Sequence, residues 1–266
     1  MRLVRPVRPW AQPDALGVLF STGKAERQTD DSGGRRLARG ASLQMVNGPS
    51  RQPPDPQAED GPRHVFPTPI WTFSFARADD VNPVLRKVIL EAAQSNPSQG
   101  RSNVGGWRSR NDLFHWEAPE MKEIGAWILD CMRRIIEATA YPDRFRGNIS
   151  VVGWASVCRT GNYNAPHSHP DSAWSGVYYV DTGDPDRDTQ PGSCLEFLDP
   201  RAAAGGVNTP GDPFGHPVRI PPREGVLTVF PSWLTHWVHP HSGRRERIAI
   251  SFNVACAPER FDGLRE

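Results

Sequence analysis

From Asn148 onward the chain falls into short β-type segments, and this half constrains the fold more than anything else in the sequence. Ile149–Arg159, Trp174–Val180, Cys194–Leu198, Val218–Ile220, Val226–Phe230, His236–His239 and Arg247–Val254 are rich in β-branched and aromatic residues. Clusters that favour turns separate them: Thr182-Gly183-Asp184-Pro185, Gly205-Gly206, Pro210-Gly211-Asp212-Pro213, Pro221-Pro222 and Ser242-Gly243. Many short strands with such punctuation predict a sandwich or jelly roll. Upstream, His64–Phe73 alternates apolar and polar residues and contains prolines, which suits an edge strand. A helix is predicted from Asp80, with acid and proline in its first turn and Val84, Leu85, Val88 and Ile89 on one face. A second is predicted from Pro119 to Thr139, where Met121, Ile124, Ile128, Cys131 and Ile135 recur at helical spacing. The fold class expected is therefore α+β: an all-β core with flanking helices.

Residues 1–63 differ. They are rich in Pro, Gly, Arg, Asp and Gln, with runs such as Gln52-Pro53-Pro54-Asp55-Pro56. Such a stretch buries too little apolar surface to offset its ordering entropy. It is expected to be a disordered extension before a single domain at 64–266.

The 266 residues carry a formal net charge of +1, which gives no electrostatic reason to expect nucleic acid or an anionic membrane as partner. No apolar run is long enough to span a bilayer, and the arginines near the N-terminus are not followed by the apolar stretch of a secretory signal. Cys131, Cys158, Cys194 and Cys256 form no tight metal-binding spacing; they are expected to be reduced, in a cytoplasmic protein, and mostly small buried hydrophobes. The sequence sets no oligomeric state; a homodimer is one assembly it allows.

Histidine carries the chemical information. Six of the eight lie between 167 and 241. His167-Ser168-His169 is an i, i+2 pair, and on an extended chain both imidazoles can face one point. Taken alone, such a pair is more often a packing or surface feature than a ligand set. Its place in a loop between two predicted strands strengthens the ligand reading, because sites gather on loops held by rigid scaffolds. A third histidine from a distant strand would complete a site with open positions, and imidazole suits Fe, Zn, Cu or Ni.

The second constellation runs Phe230-Pro231-Ser232-Trp233-Leu234-Thr235-His236. Eleven residues past His236, Arg247 opens the strand Arg247-Ile248-Ala249-Ile250-Ser251-Phe252-Asn253. An arginine in such a strand is costly unless it meets an anion, and its fork matches a carboxylate. It could equally face solvent on an edge strand or pair with Glu246.

Together, Gly161-Asn162-Tyr163-Asn164-Ala165-Pro166-His167-Ser168-His169-Pro170, the strand Ser175-Gly176-Val177-Tyr178-Tyr179-Val180, the segment around His236 and the strand from Arg247 resemble the 2OG-Fe(II) oxygenase superfamily. They are most similar to a branch with a proline-flanked His-x-His and an SGVYY strand, which the upstream Asn103–Ser109 also resembles. The resemblance covers roughly residues 64–257. It implies a double-stranded β-helix (jelly roll) and a dioxygenase using Fe(II), 2-oxoglutarate and O2. It implies His167, His169 and His236 as catalytic metal ligands and Arg247 as the group on the distal carboxylate of 2-oxoglutarate, with Tyr163 adding a hydroxyl there.

Two positions depart from the superfamily. His169 stands where an aspartate is usual, and Asp171 offers a rival register because His169-Pro170-Asp171 is itself a His-x-Asp triplet. The spacing of Gly161, six residues before His167, favours His169. Ala249 replaces a serine that many relatives place two residues after the arginine. The reaction implied is oxidative decarboxylation of 2-oxoglutarate coupled to hydroxylation of an unactivated C–H bond, on a small-molecule or peptide-like substrate.

Trp107, Trp154, Trp174, Tyr178 and Trp233 are expected around the substrate pocket, although a single buried aromatic is more often core. Arg108 and Arg110 are candidates for an acidic group on the substrate, or are simply solvated. His239 and His241 are expected at the surface or beside the ligands. Two other readings compete: a cupin-like metalloenzyme without 2-oxoglutarate, which needs no carboxylate clamp, and a catalytically silent β-helix that binds a ligand.

Overall fold

The computed structural model describes residues 17–19, 44–46, 66–139, 147–185, 191–201 and 217–258. Two units divide at residue 65. In the first, strands β1 (Gly17–Leu19) and β2 (Gln44–Val46) pair antiparallel. The expectation of disorder for the rest of residues 1–63 lies outside the described residues.

The second unit contains two antiparallel sheets and two helices, a double-stranded β-helix of the jelly-roll type. Its strands are β3 (Trp71–Ser74), β4 (Asn103–Val104), β5 (Trp107–Arg108), β6 (Gly147–Cys158), β7 (Tyr163–His167), β8 (Trp174–Asp181), β9 (Leu195–Phe197), β10 (Val218–Ile220), β11 (Val226–Pro231), β12 (His236–Val238) and β13 (Arg247–Pro258). The six-stranded sheet has the order β3-β11-β8-β13-β6-β5, and the five-stranded sheet β10-β9-β12-β7-β4. Successive strands from β6 to β9, and again from β11 to β13, alternate between the sheets, so the chain winds around the space they enclose.

The edge strand predicted from His64 begins at Trp71; Pro67 and Pro69 precede it, since neither can donate to a ladder. It is the edge strand beyond β11. Helix α1 spans Ala78–Ser95, starting two residues before the expected point, and α2 spans Pro119–Thr139 as expected. Val81, Leu85 and Ile89 of α1 are buried, whereas Val84, expected on that face, is exposed. Helix α2 buries Met121, Ile124, Ile128, Cys131, Met132, Ile135 and Ile136. Both helices pack on one face of the six-stranded sheet, against Tyr178, Val180, Leu227, Val229, Ile248, Ile250, Phe252 and Val254. Each fully buried Leu, Ile or Phe there contributes on the order of 1.5–3 kcal/mol. Gly176 permits one close approach: a Cβ there would lie 2.4 Å from the Phe252 ring.

Among the described residues no helix is long and apolar enough to cross a membrane. Cys131 and Cys158 are buried thiols.

Candidate metal centre and its cavity

Two neighbouring strands of the five-stranded sheet pair at the site itself. His167 ends β7 and His236 begins β12, and the two are Cα partners across the ladder. His169 follows β7, and its amide donates to the Ser232 carbonyl at 2.9 Å in the turn between β11 and β12. Three imidazoles from distant parts of the chain thus converge. Their ligand nitrogens all lie within 4.8 Å of one another. The ring centroids are 4.4 Å apart for His167 and His236, 4.9 Å for His167 and His169, and 5.3 Å for His169 and His236.

Their hydrogen bonds orient two of the rings. His167 Nδ1 donates to the Ala165 carbonyl at 2.7 Å, and His236 Nδ1 to the Leu234 carbonyl at 2.9 Å. A carbonyl only accepts, so each Nδ1 carries the proton and each Nε2 keeps its lone pair for an ion. Burial, with repulsion from His167, lowers His169 to about 4 and His236 to about 3; burial also lowers His167. At neutral pH all three are neutral imidazoles, the form that binds a metal. The Ser102 hydroxyl stands 3.2 Å from His167 Nε2. Nothing in the sequence pattern marks Ser102.

Asp171 does not join them. It is exposed, at a positive φ of 65°, and lies outside the cluster. Gly161 does have a reason for its place: it turns the chain from β6 to β7 at φ 81°, where a side chain would be strained.

The triad opens on a cavity of about 430 Å3 between the sheets. On its floor, β13 presents Arg247, Ala249, Ser251 and Asn253, the alternate residues to those under the helices. Arg247 is 3% exposed. It donates to the Ser193 carbonyl at 3.3 Å and to Cys158 Sγ at 3.2 Å, and its Nε is buried without a partner. It therefore neither faces solvent nor pairs with Glu246, which instead meets Arg86 and Arg159. Behind it, the Ser193 hydroxyl and His241 Nδ1 are 2.6 Å apart, while His241 Nε2 donates to the Arg245 carbonyl. An orphaned guanidinium N–H in the same cavity as three neutral imidazoles fits a metal with an anionic co-ligand.

The expected aromatic lining is partly displaced. Trp154 lines the cavity. Tyr178 does not: it points into the helix-packed core, where its hydroxyl donates to Asn82 Oδ1 at 2.7 Å. Its neighbour Tyr179 faces the cavity instead, because adjacent strand residues point to opposite faces. Burial pushes the Tyr179 phenol up to about 12 against the opposing pull of Arg247, so it remains a hydrogen-bond donor. Trp174 packs against the core, and Trp233 is 56% exposed. Trp107 donates to the Asn96 carbonyl and lines a separate hollow of about 160 Å3 with Trp116 and Arg110. Tyr163 sits opposite Val104 on β7 and is not among the lining residues. His239 is buried rather than superficial, 2.9 Å from Glu196 on the side of the five-stranded sheet away from the cavity.

Residues 153–253, which include all four of these histidine and arginine positions, match the family model described as "Putative 2OG-Fe(II) oxygenase". The fold is similar to a Pseudomonas putida prolyl-4-hydroxylase at 17% identity, covering 71% of this chain and 92% of that one with a TM-score of 0.50. It is also similar to a Trichoplax adhaerens prolyl hydroxylase solved with a hypoxia inducible factor oxygen degradation domain peptide fragment, at 14% identity, 70% and 83% coverage and a TM-score of 0.50. No curated protein matches the chain.

Proposed function

We propose that this chain, whose residues 153–253 match the 2OG-Fe(II) oxygenase family model, is an oxygenase of that family and hydroxylates an unactivated C–H bond of a small-molecule or peptide-like substrate. The observation that carries the reading is the pairing of two features in one cavity: a three-imidazole cluster and a buried arginine with a free N–H. His167, His169 and His236 would hold Fe(II), and Arg247 the distal carboxylate of 2-oxoglutarate. Bound there, the metal and co-substrate would supply the oxidising power: O2 would give one oxygen atom to the substrate and the other to the succinate formed, with CO2, from 2-oxoglutarate.

The protein's own part is positional and electrostatic. Arg247 is held by Ser193 and Cys158 before any ligand arrives, so little ordering is needed to form a bidentate contact. Tyr179 supplies an O–H donor on the same wall, in place of the serine that Ala249 lacks. Three neutral ligands leave two positive charges uncompensated on a divalent ion. A dianionic co-substrate offsets them, whereas a lone Fe(II) would be held more weakly than by a site containing a carboxylate. A cupin-like enzyme with no carboxylate clamp leaves the orphaned Arg247 N–H unexplained.

The test is an anaerobic titration of the full chain with Fe(II) and 2-oxoglutarate, following the metal-to-ligand charge-transfer absorption. The wild type should develop the band. Arg247→Gln should need about 30-fold more 2-oxoglutarate, the scale expected when one partner of a buried charge pair is truncated. Absence of the band from folded wild-type protein would overturn the proposal.

A further inference from the structure

The cavity holds a second guanidinium that the reading above does not use. Arg108 lies on β5, opposite Ser156 of β6, and is 8% exposed. Its guanidinium carbon sits 4.4 Å from the centroid of the Trp154 ring, and that ring lies 5.9 Å from the ring of His169. One indole thus bridges the cation and a ligand imidazole. Arg108 donates to the Ser109 carbonyl at 3.0 Å and to Asn111 Oδ1 at 2.6 Å, both neutral acceptors. A guanidinium has five N–H donors, so most of its capacity is left for something else.

What is missing is a counter-charge. Among the described residues no carboxylate stands within 4.0 Å of Arg108. The charge that acts on it is another cation, Arg101, which also lines the cavity. Burial, then Arg101, pull Arg108 down from 12.5 to about 10, so it stays charged at neutral pH. Two other arginines on buried acids are handled differently: Arg86 meets Asp181 at 2.8 Å, and Arg219 meets Glu196. A buried cation with neutral acceptors, a repelling neighbour and an opening onto a reaction cavity is an anion site built by the protein and completed by a ligand.

We infer that Arg108, with Arg101 beside it, anchors a carboxylate of the primary substrate, which is therefore a small organic acid. This rests on the proposed function, since it assigns Arg247 to the co-substrate and Arg108 to the substrate. The planar guanidinium fork matches a carboxylate bidentately, as it does a phosphate, and the alkyl phosphates in the test separate the two. The cavity of about 430 Å3 must also admit 2-oxoglutarate, which limits the substrate to a compact molecule. With its acid group at the wall formed by residues 101–111, the substrate extends along Trp154 toward His169.

The test loads the full chain with Mn(II) and saturating 2-oxoglutarate and titrates it by calorimetry with N-acetyl amino acids, the primary amide of each, and alkyl phosphates of similar size. At least one acid should bind about tenfold more tightly than its amide, as one charge-assisted contact requires. Arg108→Gln should erase that preference, Arg108→Lys should keep only part of it, and Arg110→Gln, on the separate hollow, should keep it whole. The proposal is overturned if no acid outbinds its amide or if alkyl phosphates outbind every carboxylate. It is also overturned if the preference survives in Arg108→Gln, or in Arg108→Lys at full strength should the Gln variant not fold. Failure of the co-substrate reading is seen separately, as no uptake of 2-oxoglutarate by the wild type; the acid-to-amide comparison, repeated with Mn(II) alone, then still decides the role of Arg108.

Discussion

The two faces of β13 are made from the same twelve residues and have nothing in common chemically. Ile248, Ile250, Phe252 and Val254 are fully buried under helices α1 and α2. Arg247, Ala249, Ser251 and Asn253, interleaved with them, face the cavity. The five-stranded sheet shows the same division in reverse: His236 and Val238 look inward with Leu195, while Glu196 pairs with Trp237 on the outer side, where Arg219 and His239 meet it. The larger apolar core lies on one face of the large sheet, and the chemistry lies in the space between the sheets, beside a smaller apolar cluster of Leu195, Phe197, Phe230 and Leu234. A residue's register therefore says more about its role than its identity does.

Phe252→Ala should break this contrast most severely. It removes a fully buried ring from the helix-covered face and should cost about 3–5 kcal/mol, read as a shift of the urea midpoint at unchanged slope. Its neighbour Ser251→Ala, on the cavity face, should cost less than about 1 kcal/mol. Equal losses would refute the division.

His236→Gln addresses the cavity face. Disrupting groups that merely support metal ligands costs on the order of 10–100-fold, so loss of a ligand should weaken Zn(II) or Fe(II) binding by at least about 100-fold. Competition with a chromophoric chelator measures this. A change below tenfold would remove His236 from the metal site.

Adjacent tyrosines make a finer test. Tyr178→Phe loses the hydrogen bond to Asn82 and should cost about 1 kcal/mol of stability while leaving 2-oxoglutarate binding as it was. Tyr179→Phe should do the opposite, weakening 2-oxoglutarate binding at little cost in stability. Denaturation and the charge-transfer titration, run on both variants, would expose a reversed register.

The smallest effect belongs to the outer face of the small sheet. Burial alone would raise the Glu196 carboxyl, but hydrogen bonds from Arg219, His239 and Trp237 outweigh it and hold it at about 2. A carboxyl depressed on folding stabilises the protein fully above its ordinary value near 4.5, and that contribution disappears as pH falls from there toward 2. The urea midpoint of the wild type should therefore fall between pH 5 and pH 3 more than that of Glu196→Gln. Parallel slopes would show that the cluster contributes nothing.

The fold was legible where periodicity is strong. Helix α2 and strands β6, β8, β11 and β13 lie within a few residues of where the pattern puts them, because longer amphipathic or β-rich segments encode their own type. Strands β4 and β5 were not visible, since two-residue strands carry no period. The pocket lining was read less well than the convergence of His167, His169 and His236. Val177-Tyr178-Tyr179 presents an aromatic to both faces, so composition could not say which one the cavity sees. Trp107, Trp174 and Trp233 were plausible by proximity in sequence alone. Arg108 could be raised as a candidate, but its burial against Trp154 and its lack of an acid partner are visible only in three dimensions.

The amino-acid order alone determined that the second half of this protein is a stack of short strands, and it supplied the histidines and the arginine that resemble an oxygenase site. Tertiary structure decided which of them meet: His236 comes opposite His167, His169 rather than Asp171 joins them, and Tyr179 rather than Tyr178 turns to the cavity. The reason is physical. Local pattern sets the period of a strand, but which face is inside depends on pairing with strands far away in the chain, and a shift of one residue would exchange every side chain between core and cavity.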